Sequence, residues 1–115
     1  MTNEELRALD LAVAISISLP DAAMDSDLGC IVTGRNGLRM CPYQPTRDTE
    51  EAMRLAAERG MCLFYDNYNE LARVVCDSSS AMPYENYTDH SGDKLAAMRV
   101  AIAKAVVAMA ENANG

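Results

Sequence analysis

Residues 61–77 read MCLFYDNYNELARVVCD, and the way they fold decides the architecture. Two apolar segments, 61–66 and 71–77, flank the polar tetrapeptide Asn67-Tyr68-Asn69-Glu70. Strand-forming residues bounded by turn formers predict an antiparallel hairpin. Its facing is open, because both alternating sets are apolar: either Cys62 and Phe64, or Leu63 and Tyr65, points into the core. Phe64, the one phenylalanine of the chain, is the preferred core residue.

Upstream of the hairpin, Asp48-Thr49-Glu50-Glu51 has capping-box form, with the acids suited to the positive end of a helix dipole. Gly60 follows Arg59 as a C-cap, so a helix is expected over 49–59, burying Ala52, Met53, Leu55 and Ala56. Downstream, 78–93 is the longest segment without periodicity and reads as a loop. A long Ala-rich helix is expected over 94–112, capped by Ser91 or Asp93. It is apolar on most of its circumference, which suggests a central packing role or a self-association face.

The first half repeats the helix-then-hairpin order. Thr2-Asn3-Glu4-Glu5 is a second capping box, and Leu6, Leu9, Val13 and Ile17 form a helical stripe, widened by Leu11 and Ile15, over Glu4 to Ser18. Ile15 to Ser18 alternates and also suits an extended segment. Pro20 ends the helix, and 20–27 is an acidic connection in which one helical turn fits. In 28–43, Asn36-Gly37 lies between apolar segments, the strongest short-range hairpin signal. A loop of Asn36-Gly37 puts Cys30 opposite Tyr43, whereas a loop of Arg35-Asn36 puts Cys30 opposite Cys41. The element order is α-β-β-α-β-β-α: one α+β domain, with an antiparallel four-stranded sheet of two hairpins packed with helices, expected on both faces.

Bulk properties exclude several functions. The chain has 115 residues, a length for one domain, and a net charge of −7. Nucleic-acid affinity comes from Lys and Arg neutralising phosphates, so direct nucleic-acid binding is not expected. An acidic chain does suit a basic protein partner. No apolar run reaches membrane-spanning length and no basic leader precedes residues 9–19, so a cytoplasmic protein is expected. Cys30, Cys41, Cys62 and Cys76 lack the close pairing of zinc ligands and are expected as buried, reduced thiols.

Chemistry-bearing residues are few. His90 is the only histidine, flanked by Asp89, Ser91 and Asp93. Sequence neighbours rarely converge into catalytic geometry, so no catalytic residue is assigned. Asp66, Asn67, Asn69 and Glu70 offer oxygen ligands without calcium-loop spacing, so no metal and no cofactor is assigned. Two near-identical tetrapeptides remain, Tyr65-Asp66-Asn67-Tyr68 and Tyr84-Glu85-Asn86-Tyr87. Tyrosine provides rigid contact area with a polar tip, as interfaces favour. Asp66, Tyr68, Glu70, Tyr84, Glu85, Tyr87 and Asp89 are the expected partner-binding residues, with Tyr68, Tyr84 and Tyr87 exposed and Tyr65 at least half buried.

Helix 49–59 carries Asp48-x-x-x-Ala52-Met53-x-Leu55 after Tyr43 and Thr46, and the last helix carries Leu95-Ala96-x-x-Arg99-x-Ala101-Ile102. These resemble helices of the phage ABA-sandwich family, small tailed-phage proteins mostly of unknown function, mainly over residues 43–107. The family has Trp where Met53 stands. The resemblance implies that fold and a phage origin, with no catalytic residues. The expected function is non-catalytic binding to a host protein or protein complex, in its sharpest form inhibition of a host defence system such as a CRISPR effector. Two other readings stand beside it: an oligomeric small-ligand-binding or sponge protein assembled as a homo-oligomer through helix 94–112, and an enzyme using Asp89, His90 and Asp93.

Overall fold

The structure, a computed structural model, describes residues 1–32, 41–76 and 83–114. Helix α1 spans Asn3–Ser16 and opens with the expected reciprocal cap: Glu5 N donates to Thr2 Oγ1 at 3.1 Å, and Thr2 N donates to Glu5 Oε1 at 3.3 Å. It is helical through Ser16 and is broken at Ser18, whose φ of 58° is left-handed, before Pro20 is reached. Strands β1 (Ala23–Asp25), β2 (Gly29–Val32) and β3 (Cys41–Pro42) form one antiparallel sheet in that order. The connection expected over 20–27 thus contributes a strand. Its turn into β2 is held by Asp25 Oδ1, which accepts from Asp27 N at 2.8 Å and Leu28 N at 2.9 Å. Gly29 has a φ of 79°, and a Cβ there would meet Arg7 Cγ at 3.1 Å, so the Arg7 stem lies flat on it.

The Asn36-Gly37 turn lies outside the described residues. The strands beside it pair Ile31 with Pro42 and Val32 with Cys41. Tyr43 N donates to Cys30 O at 3.0 Å, so Cys30 faces Tyr43 and is not opposite Cys41. Cys30 and Cys41 are free thiols, one buried and one exposed. Cys62 is also exposed, so burial holds only for Cys30 and Cys76. Burial pushes the Cys30 thiol up to about 11.

Helix α2, Thr49–Glu58, has Asp48 as N-cap, accepting from Glu51 N, and buries Ala52, Leu55 and Ala56. Strands β4 (Cys62–Asp66) and β5 (Leu71–Val75) form the hairpin around 67–70. A third strand, β6 (Tyr84–Asn86), pairs with β5 inside the stretch that reads as a loop. A 3-10 turn, Tyr87–His90, leads into α3, Lys94–Asn114, whose first turn is capped by Asp93 Oδ1 accepting from Ala96 N at 3.0 Å.

The described strands make two three-stranded sheets, β1-β2-β3 and β4-β5-β6, in place of one four-stranded sheet. The expected arrangement, helices on both faces of one sheet, is therefore not the one that forms. Here helix-to-helix contact joins the two sheets. Helix α1 packs on β1, β2 and α3, and α3 in turn packs on β5 and β6 and receives α2. Ala97, Met98, Ala101, Ile102, Ala103, Ala105 and Val106 of α3 belong to one buried cluster with Val13, Ala14, Cys30, Leu55 and Val74. Small alanines on several sides of α3 let its neighbours approach closely. Among the described residues no helix is long and apolar enough to cross a membrane.

Two polar ties, one buried and one partly buried, join these elements. Asp10, 1% exposed on α1, accepts from Thr46 N at 3.0 Å and Thr46 Oγ1 at 3.1 Å. Burial pushes its carboxyl up to about 6, against the opposing pull of those hydrogen bonds. Arg99 of α3 donates to Thr46 O at 3.0 Å and to Thr49 Oγ1 at 2.9 Å, so one turn joins all three helices.

Candidate functional site

The register of β4-β5-β6 sorts its side chains. Leu63 and Tyr65 lie in rows with buried Val74 and Ala72, so this set faces α3. Cys62, Phe64 and Asp66 belong to the other face. Phe64, the preferred core residue by sequence, is 53% exposed. The reason is its pairing: it stands directly opposite Arg73, whose charge belongs in water. Arg73 in turn stands opposite Tyr84, which is 56% exposed. The outer face thus carries an exposed row of aromatic, arginine, aromatic across three strands. A hollow of about 350 Å³ lies beside it, lined by Phe64, Tyr65, Asp66, Arg73 and Val75. Among the described helices none packs on this face, since α3 takes the opposite one.

The two tyrosine tetrapeptides meet at one end of this sheet. Tyr87 O–H donates to Asn67 Oδ1 at 2.9 Å, and Tyr87 N donates to Glu70 O at 2.8 Å. Asp66 folds the hairpin loop by accepting from Asn69 N at 3.0 Å and Asn69 Nδ2 at 2.8 Å, which holds its carboxyl below the ordinary range. These bonds engage the Asp66 and Asn67 oxygens within the loop. Tyr68 stands at the hairpin tip and is 94% exposed.

The expected contact residues divide accordingly. Tyr68, Glu70, Tyr84 and Asp89 are exposed and Asp66 is partly so. Tyr65 keeps 41% of its surface, consistent with the expected half burial. Tyr87 and Glu85 are corrections: they are 5% and 6% exposed and belong to the interior. Tyr87 closes the joint between hairpin and 3-10 turn, with the Lys94 ammonium 5.6 Å from its ring centroid. Tyr87→Phe removes one hydrogen bond and keeps the ring, so a stability loss of about 0.5–1.5 kcal/mol in urea unfolding is expected.

Glu85 points inward because it shares a row with Ala72 and Tyr65. Its Oε1 lies 3.1 Å from His90 Nε2, and its Oε2 accepts from Lys104 Nζ at 2.8 Å. The Glu85 and His90 side chains are each 7% exposed and Lys104 is 42% exposed. His90 therefore turns to Glu85, and Asp93 is occupied in capping α3. The Asp89-His90-Asp93 grouping is not the one that forms. The outward Phe64-Arg73 pair and the joining of Glu85, His90 and Lys104 are not among the sequence expectations. The apolar residues of α3 from Ala97 to Val106 are buried by the chain's own elements, while Leu95 at its start is 50% exposed.

No protein-family model matches this chain, and no curated protein or solved structure matches it.

Proposed function

We propose that this protein acts without catalysis, by binding another protein through the outer face of β4-β5-β6 and the adjoining hairpin tip. The observation that carries this is the exposed Phe64-Arg73-Tyr84 row on a sheet face that no described helix covers. Aromatic residues and Arg are the side chains that dominate interface energies. Tyr68 adds a fourth large contact at the end of the same sheet.

A net charge of −7 favours a basic protein surface as partner. The nucleic-acid groove of a host complex has that character, and the resemblance to a phage family makes a host defence effector, such as a CRISPR complex, the first to try. A cytosolic setting fits the exposed free thiols of Cys41 and Cys62.

The test compares wild type with the double variant Tyr68→Ala, Tyr84→Ala against purified candidate effectors, by calorimetry at low and moderate salt. Both side chains are solvent-facing, so the fold is retained. The expected result is a complex that weakens with salt and loses at least about 100-fold in affinity in the double variant. A complex of equal affinity in the double variant would overturn the proposal. Tyr87 stays unaltered because it is buried.

A further inference from the structure

Among the described residues, four strands lie at the outside of the two sheets: β1 and β3 in the first, β4 and β6 in the second. An unpaired edge is a template for another chain, and soluble proteins blunt it with short strands, proline, bulges or charges. Three of these four are blunted. Strand β1 has three residues and ends in Asp25; β3 has two, one of them Pro42. Strand β6 has three, follows Pro83 and carries Glu85 pointing inward. Strand β4 is neither short nor broken by proline or a bulge, and its one charge, Asp66, sits at its end. It runs five residues, Cys62–Asp66, without Lys, Arg, Pro or Gly, in unbroken register with β5.

The backbone directions of β4 follow from those of β5. Val74 N donates to Pro83 O, and Tyr87 N donates to Glu70 O, so residues 70 and 74 bond toward β6. Bonding alternates along an antiparallel strand, so Leu71, Arg73 and Val75 bond toward β4. Their opposites, Asp66, Phe64 and Cys62, bond back. Leu63 and Tyr65 are left to aim their N–H and C=O groups outward.

We propose that β4 pairs antiparallel with β4 of a second copy of this chain, about a two-fold axis at Phe64, merging two three-stranded sheets into one of six. The strand is complementary to itself in this register. Leu63 faces the partner's Tyr65 in two bonded pairs that use every outward group of both strands. Phe64 faces the partner's Phe64 in the intervening non-bonded pair, where side chains approach closest. The lone charge, Asp66, faces the partner's Cys62. Shifting by two residues in either direction keeps one bonded pair, Leu63 with Leu63 or Tyr65 with Tyr65, and takes the other beyond the strand. Phe64 and Tyr65, 53% and 41% exposed on opposite faces, both lose surface on pairing. The pairing also joins two Phe64-Arg73-Tyr84 rows end to end across the six strands. It does not depend on that row having a partner.

One five-residue strand makes a small contact, so the dimer is weak and concentration-dependent. Each chain carries a net charge of −7, so the dimer tightens as salt screens the repulsion. Sedimentation of the whole chain, from micromolar to near-millimolar and at two salt concentrations, tests this. The expected result is a reversible dimer that salt strengthens. Phe64→Lys places like charges directly opposite and weakens the dimer at least about tenfold, with an unchanged circular dichroism spectrum. With Cys41→Ser and Cys62→Ser as background, Phe64→Cys gives a covalent dimer on oxidation, and Tyr84→Cys, on the far edge strand, does not. A monomer at every concentration, a dimer indifferent to Phe64→Lys, or equal cross-linking from the Tyr84→Cys chain would overturn the proposal. Tyr84→Ala leaves the dimer intact, which separates this result from failure of the binding surface.

Discussion

Glu85→Ala is expected to cost about 2–4 kcal/mol of folding stability, read as a shift in urea midpoint at constant slope. The side chain is 7% exposed and holds two partners. Its removal leaves the His90 ring nitrogen without its partner in a site that water scarcely reaches, and empties the volume of a methylene and a carboxylate. Lys104 contributes less, because at 42% exposure its ammonium turns to water once released. Glu85→Gln keeps the volume and one acceptor, so about 1–2 kcal/mol is expected there. The same substitution loosens β6 from α3 and so the Tyr84 end of the exposed row. A Glu85→Ala chain within about 0.5 kcal/mol of wild type would show that the cluster does not hold this strand.

Asp10→Asn is expected to be as stable as wild type or more so at neutral pH, and the two chains are expected to respond differently to acid. In the folded chain burial raises the Asp10 carboxyl to about 6 from an ordinary 3.8. The folded state therefore holds the proton more tightly than the unfolded state. Its contribution to stability is fully present below about pH 4, declines through pH 4 to 6, and is lost above that. The difference is on the order of 3 kcal/mol, from about two pH units at 1.36 kcal/mol each. An asparagine in the same place accepts from Thr46 N and donates to Thr46 Oγ1, with no charge to desolvate. Urea unfolding at pH 4, 5, 6 and 7 should thus show the variant gaining on wild type by that amount across the window. Parallel stability curves would mean that Asp10 is ionised as readily in the folded chain as in the unfolded one.

Local signals carried the helices. The Asp48 cap and the Gly60 stop set α2 to within a residue, and the Thr2-Glu5 box set the start of α1. The strands missed by sequence, β1 and β6, have three residues each, too few for alternation to register. Each completes a sheet around its own hairpin, which is why two sheets form where one was expected. The facing of β4 was legible in principle. A four-residue loop at 67–70 places Phe64 opposite Arg73, and a charged neighbour marks the wet face. Judged alone, β4 is apolar on both sides and its pattern is silent. The inward Glu85 had no local signal, because its partners lie 5 and 19 residues away on other elements.

The position of α3 bears on how the chain is made. It packs on β4-β5-β6 and on α2, yet every other described element precedes it in the sequence. Strands β4 to β6 leave the ribosome before the helix that covers them, and a long-range core waits on the last segment to arrive. During that interval the sheet is bare on both faces and along the unblunted β4 side. The nascent chain is then most exposed to misassociation, and a chaperone that shields short apolar strands would have its clearest substrate.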